Sequence, residues 1–220
     1  GSMFVVFRDR ATAESRPVRR RWRTVATVPV EEPWTLSFPR GWGIEKDAVL
    51  PTLRSWTDFA DENVRYFSGS AVYRTTLAAP SLAEGERCVL DLGDVRFFAE
   101  VTANGRTHPS LWRPPFVVDV TEAVKAADGR LELSVKVTNL WPNRLIGDAH
   151  KPEDCRWQQN EAFNNAQETG IAELPDWVRR GEKSPTGRFT FTTWRHWTKD
   201  DEPLDSGLLG PVRLKVQERK

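Results

Sequence analysis

Residues 139–148 read Asn-Leu-Trp-Pro-Asn-Arg-Leu-Ile-Gly-Asp and combine four kinds of ligand-handling group. Trp141 offers a flat indole, Asn143 an amide, Arg144 a guanidinium and Asp148 a carboxylate, with Gly147 expected to let the chain turn. Such a set grips polyhydroxylated ligands: the indole packs on the apolar face of a ring, and forked donors and acceptors take its hydroxyls. The same groups also build a polar corner inside a β-sandwich, since Leu145 and Ile146 next to them call for a core. Both uses stand open on sequence alone. Trp112-Arg113 is a second indole–guanidinium pair, and with Asn143-Arg144 it forms the preferred cluster; Trp157 joins them from a loop.

Other chemistries find less support. His108, His150 and His196 do not have metal-ligand spacing. The chain has no Gly-x-Ser-x-Gly elbow for serine hydrolysis and no phosphate-binding loop. Glycoside hydrolysis would need two carboxyls facing across a ligand. Glu100 is the first carboxylate to suspect, against the plainer reading of an exposed strand residue.

The elements that must position these groups are short strands. In residues 131–138, Leu131, Leu133, Val135 and Val137 alternate with polar neighbours, a period of two. That strand must stop near Trp141, because Pro142 cannot donate a ladder hydrogen bond. Further strands are expected over residues 22–30, 34–38, 66–77, 88–92, 95–103, 116–120, 188–197 and 206–216. Asn104-Gly105 is a tight hairpin signal, and Thr121 is expected to cap a short helix over 122–127. Residues 151–187 break the pattern and read as a long irregular insertion, with a helical turn or two near 174–181. An insertion of that length is commonly a functional loop or a surface that packs on a neighbour. Trp22, Trp34 and Phe116 are expected in the core. Trp56, Trp112, Trp141, Trp157 and Trp194 are expected at strand ends or in loops, where ligand sites collect. Many short strands with little helix predict an all-β sandwich.

Bulk properties exclude several partners. The 220 residues carry a formal net charge of +1, so no strong field selects nucleic acid or anionic lipid. The Arg19-Arg20-Arg21 run reads as a solvated linker. No apolar run is long enough to span a membrane as a helix. Two cysteines, Cys88 and Cys155, do not make a zinc site alone, and a disulfide between them is left open. Ten tryptophans against two tyrosines is unusual, and Trp favours surfaces that are packed and bound.

Several blocks follow one another in a telling order: Ser68-Gly69-Ser70-Ala71-Val72-Tyr73, Leu90-Asp91-Leu92-Gly93, Glu100-Val101-Thr102-Ala103-Asn104-Gly105, Pro115-Phe116-Val117-Val118-Asp119-Val120-Thr121 and residues 133–139. The order resembles the sugar-binding jelly-roll domain of family 2 glycoside hydrolases, a galactose-binding-like β-sandwich. Residues 141–148, 187–194 and 206–214 look closer still to the C-terminal module of family 106 α-L-rhamnosidases. The resemblance implies a jelly roll over residues 24–220. Residues 1–23 would then be a cloning scar (Gly1-Ser2), the tail of a preceding domain and a linker. It implies a non-catalytic, carbohydrate-binding module of a bacterial glycoside hydrolase that degrades rhamnose-containing polysaccharide. The implied partners are a rhamnose-containing glycan and the catalytic domain of the parent chain, with no nucleic acid and no membrane. The implied location is secreted, periplasmic or cell-surface. The alternative is a structural domain that buttresses the catalytic barrel through the 151–187 insertion; a stand-alone glycoside-active enzyme ranks last. Trp112, Arg113, Trp141, Asn143, Arg144, Asp148 and Trp157 become the expected carbohydrate-binding residues. No cofactor is expected, but sandwiches of this class often carry structural calcium. Asp91, Asp94 and Asp119 are hard oxygen donors at strand ends that could hold it, although their spacing is not a calcium-loop signature.

Overall fold

A computed structural model describes residues 22–160 and 165–220. The expected tail of a preceding domain and the Arg19-Arg20-Arg21 run lie outside the described residues. The first half of the chain gives β1 (Trp22–Pro29), β2 (Trp34–Ser37), β3 (Ala48–Leu50), α1 (Glu62–Arg65), β4 (Ser70–Ala78), β5 (Arg87–Asp91), β6 (Asp94–Arg96), β7 (Phe98–Ala103) and β8 (Arg106–Thr107). The second half gives β9 (Val117–Asp119), α2 (Thr121–Lys125), β10 (Arg130–Thr138), α3 (Pro142–Ala149), β11 (Trp157–Asn160), β12 (Asn165–Ile171), α4 (Asp176–Arg179), β13 (Gly207–Gly210) and β14 (Arg213–Arg219).

Two antiparallel sheets face each other. One runs β1-β14-β5-β9 and the other β3-β2-β4-β10-β7-β8; β13 pairs with β6 beside them, and β11 with β12 in the insertion. The expected β-sandwich is what forms. β10 is its central strand, pairing with β4 on one side and β7 on the other. Its period of two places Leu131, Leu133, Val135 and Val137 in the core. There they meet Leu36, Tyr73 and Val101 of the same sheet and Leu90 and Leu214 of the facing one. Asn104 and Gly105 both take positive φ, 45° and 75°, and turn β7 into β8. The Asn104 side chain adds a brace: its Oδ1 accepts from Glu132 N (2.7 Å) and its Nδ2 donates to Ala123 O (3.1 Å).

Several local expectations are corrected. The strand expected over 95–103 is two strands, broken at Phe97, because β6 pairs with β13 while β7 pairs with β10. Thr121 is the first residue of α2 rather than its cap; Asp119 Oδ1 accepts the Thr121 amide (3.0 Å). β1 forms where a strand over residues 22–30 was expected, and Arg23 pairs with Glu218 of β14. Trp22 is half-buried under the Arg87 guanidinium rather than in the core, whereas Trp34 and Phe116 are core residues. Trp56, expected at a loop surface, is fully buried, and its Nε1 donates to Tyr73 Oη (2.6 Å). Cys88 and Cys155 are both free thiols. Burial, with Asp119 nearby, pushes the Cys88 thiol up to about 12 and keeps it protonated.

Candidate functional site

Residues 139–148 do not form a turn. Pro142 opens the helix α3, where a first-turn proline loses no needed donor. Gly147 lies inside that helix, because an added Cβ would stand 2.5 Å from Tyr66 Cβ and 2.3 Å from an Arg144 nitrogen. The helix therefore turns Asn143, Arg144 and Asp148 inward, and all three are buried.

Each is used up by the fold. Asn143 Nδ2 donates to Leu204 O (2.7 Å) and Ser206 Oγ (3.0 Å), and its Oδ1 accepts from Leu204 N (2.7 Å). Asn139 works beside it, donating to Phe67 O and Ser206 Oγ and accepting from Gly69 N. Asp148 accepts from Thr190 N (2.8 Å), Thr190 Oγ1 (2.7 Å) and Phe189 N (3.1 Å). Arg144 Nε lies 3.1 Å from Asp148 Oδ1, but its N–H is not aligned on the oxygen, so charge rather than a directed hydrogen bond holds the pair. The guanidinium also sits over the Phe189 ring, 4.9 Å from its centre. Burial lowers the Arg144 pKa and Asp148 opposes the change; an arginine stays charged under either influence. These three residues were expected to reach a ligand, and here they are the internal polar corner instead.

The Asp148 bonds also explain why residues 188–197 are not the expected strand. Phe-Thr-Phe-Thr has strand periodicity, but the amides of Phe189 and Thr190 are given to a carboxylate. Only an isolated bridge, Gly170 to Trp194, remains there among the described residues.

Trp112 and Trp141 stand out at the surface, 67% and 68% exposed. The backbone exchange between Ala99 and Leu111, 2.8 Å in both directions, sets Trp112 opposite Phe98. Phe98 in turn pairs with Thr138, the end of β10, and Leu140 and Trp141 follow after the buried Asn139. Phe98 is 42% and Leu140 37% exposed, so an aromatic and aliphatic edge lies at this end of the six-stranded sheet. Arg113 is exposed beside Trp112, its guanidinium carbon 5.6 Å from the ring centre.

Trp157 lies elsewhere, in the insertion. Its Nε1 donates to Glu153 (2.8 Å), and Arg195 lies over its ring at 5.1 Å. Asp154, Trp157, Arg188, Thr190, Trp194 and Arg195 line a cavity of about 30 Å³. That holds a water molecule, not a sugar ring. Arg188 ties the insertion down by donating to Pro152 O (2.9 Å) and Lys151 O (3.0 Å).

The three aspartates expected for calcium do not gather. Asp91 accepts from Lys215 Nζ (2.5 Å) and Gly93 N (3.0 Å), Asp94 pairs with Arg96 (2.9 Å), and Asp119 accepts from Thr121. Among the described residues no group of three or more His, Cys, Asp or Glu could hold a metal ion. The carboxylates do not fit calcium. Asp91 carries a different expectation. Burial works to raise its pKa, but the Lys215 ammonium, the Gly93 amide and the nearby Arg213 outweigh it and hold the carboxyl low. A depressed folded-state pKa stabilises above the unfolded value, about 3.9, and the gain disappears as pH falls through the folded value. Asp91→Asn is therefore expected to lower stability by about 1 kcal/mol at pH 7. The difference from the parent chain in urea midpoint should shrink as acid protonates the folded-state carboxyl; a gap that stays constant as the pH falls would show that Lys215 is not its cause.

Glu100, the carboxylate suspected of catalysis, is paired with Lys136 across the β7–β10 ladder (2.5 Å).

No protein-family model matches the chain. A putative β-glucuronidase of Formosa agariphila is 40% identical over 199 residues, 88% of this chain and 16% of that protein. Among solved structures, the rhamnosidase of Novosphingobium sp. PP1Y superposes with a TM-score of 0.66 at 28% identity, over 97% of this chain and 16% of that enzyme. The β-D-glucuronidase of Dictyoglomus thermophilum shares the fold, with a TM-score of 0.54 at 16% identity over 92% of this chain and 29% of that one. The chain thus resembles one β-sandwich portion of larger glycoside hydrolases, and it spans 16% of the first two of these.

Proposed function

We propose that this chain is a non-catalytic carbohydrate-binding module of a larger bacterial glycoside hydrolase, α-L-rhamnosidase-like, that acts outside the cytoplasm on rhamnose-containing polysaccharide. The likeness to a rhamnosidase and a putative glucuronidase supports the parent enzyme. One observation carries the binding half: Trp112 and Trp141 are each left about two-thirds exposed. Large aromatic area left in water is costly, and a ligand ring that covers it recovers that cost. Arg113 supplies donors at the same edge, which suits hydroxyls or a uronic carboxylate. Asn143, Arg144 and Asp148 then serve indirectly, holding the helix that follows Trp141.

A second reading has an observation of its own. Phe98 and Leu140 widen the exposed edge beyond what one sugar needs, and an apolar edge of this kind also suits docking on the catalytic domain. The docking surface would then be this edge rather than the 151–187 insertion.

Trp112→Ala and Trp141→Ala separate the two. Truncating a central aromatic anchor weakens binding by about tenfold or more. If the module binds glycan, one or both variants should lose that much affinity with Tm unchanged. Equal glycan affinity in parent and variants would remove the tryptophans from any sugar site.

A further inference from the structure

We infer that the glycan site does not end at the exposed tryptophans. It continues along the outer face of the six-stranded sheet and takes a linear oligosaccharide rather than a single sugar. This rests on the carbohydrate-binding reading and extends it.

The register carries the argument. Side chains alternate along a strand, so residues two and four positions from Phe98 or Thr138 share their face. On that face the row Trp112–Phe98–Thr138 gives way to the Glu100–Lys136 pair and then to a second row. The second row crosses five strands in register: Thr35 opposite Arg74, Arg74 opposite Ser134, Ser134 opposite Thr102, Thr102 opposite Thr107. Beside it Thr76 stands opposite Glu132. Of these residues, Thr35, Arg74, Thr76, Thr102, Glu132 and Ser134 line an open trough of about 450 Å³.

The chemistry of the trough is that of a sugar subsite. Hydroxyls of Thr35, Thr76 and Ser134 can donate or accept, Glu132 accepts, and Arg74 donates as a fork. Arg74 spends one N–H on Ser37 Oγ (3.4 Å) and makes no ion pair among the described residues. Lys136 and Glu100 neutralise each other between the two ends, so the path has no charge barrier. From Thr138 to Ser134 is four residues, or roughly 14 Å at about 3.4 Å per residue. That is longer than one sugar ring. The aromatic end gives stacking energy and the trough gives hydroxyl contacts further along the same chain. A ligand that covers both gains contacts without a second loss of translational freedom.

The test is calorimetric titration with a size series of fragments of a rhamnose-containing polysaccharide, from free rhamnose to the undigested polymer. Affinity should rise about tenfold or more from the monosaccharide to fragments that reach the trough. Arg74→Ala and Ser134→Ala, both at the surface of the sheet, should remove most of that rise and leave the affinity for the shortest binding fragment unchanged. Trp112→Ala should weaken every fragment. Affinity independent of length, or a rise that survives both trough variants, overturns the extended site and leaves the tryptophan site standing. Binding by none of the fragments, in a folded parent chain, overturns the extended site and the carbohydrate reading together.

Discussion

Asp148→Ala is expected to lower folding stability by about 3–5 kcal/mol, the cost of leaving a buried charge without its partner. The variant strands the buried Arg144 guanidinium and unpairs the amides of Phe189 and Thr190 in one step. At the 2–4 °C per kcal/mol usual for a chain of this size, Tm should fall by roughly 10 °C. Asp148→Asn keeps an acceptor for the Thr190 amide but not the charge, and should fall between. Removing both charges with Arg144→Met and Asp148→Leu should recover part of the loss, because the unpaired guanidinium goes while the unpaired amides stay. Urea unfolding of the three variants checks this. A cost below about 1 kcal/mol for Asp148→Ala would mean that residues 188–190 are not held through this carboxylate.

Gly207→Ala has the second large effect. Gly207 sits at φ 103° where β13 begins, and an added Cβ would lie 2.4 Å from Tyr73 Oη and 2.6 Å from Trp56 Nε1. Those two atoms are the polar tie of the core: Tyr73 Oη accepts from Trp56 Nε1 and from Leu208 N (3.1 Å). The methyl group cannot enter without pushing one of them away from its partner. Overpacking plus an unfavourable φ should cost about 3 kcal/mol or more. Gly105→Ala is the control. Its φ is also positive, at 75°, but nothing lies within 4 Å of the added Cβ. It should cost only the local strain, about 1–2 kcal/mol. Equal costs at the two sites would show that Gly207 does not abut the Tyr73–Trp56 bond.

These two sites also show how far the sequence could be read. The central strand was legible because its signal is local: four apolar residues at a period of two in β10 leave only one face for the core. The Asn104-Gly105 turn was legible for the same reason. The polar corner was legible only as a pair of alternatives. Asn, Arg and Asp near a tryptophan have the same composition whether they face a ligand or the interior. What decides is α3, and Pro142 hid it. Proline ends a strand, but it also fits the first turn of a helix, and nothing local chooses between the two. Gly147 misled in the same way: it reads as a turn, while its reason is the approach of Tyr66, eighty-one positions earlier in the chain. The lost strand at 188–197 and the buried Trp56 follow the same rule, since their partners, Asp148 and Tyr73, are distant in sequence. Trp112 and Trp141 were placed correctly at the surface because loops and strand ends are exposed by default.

The measurement that bears most directly on the account is titration calorimetry of the purified chain with rhamnose-containing polysaccharide, with reducing ends counted in the same samples. A binding module gives saturable heat, lost in Trp112→Ala or Trp141→Ala, and releases no sugar. Release that stays constant in specific activity through purification would contradict the non-catalytic reading. Absence of heat from a folded chain would contradict binding and leave docking on the catalytic domain as the role of the tryptophan edge.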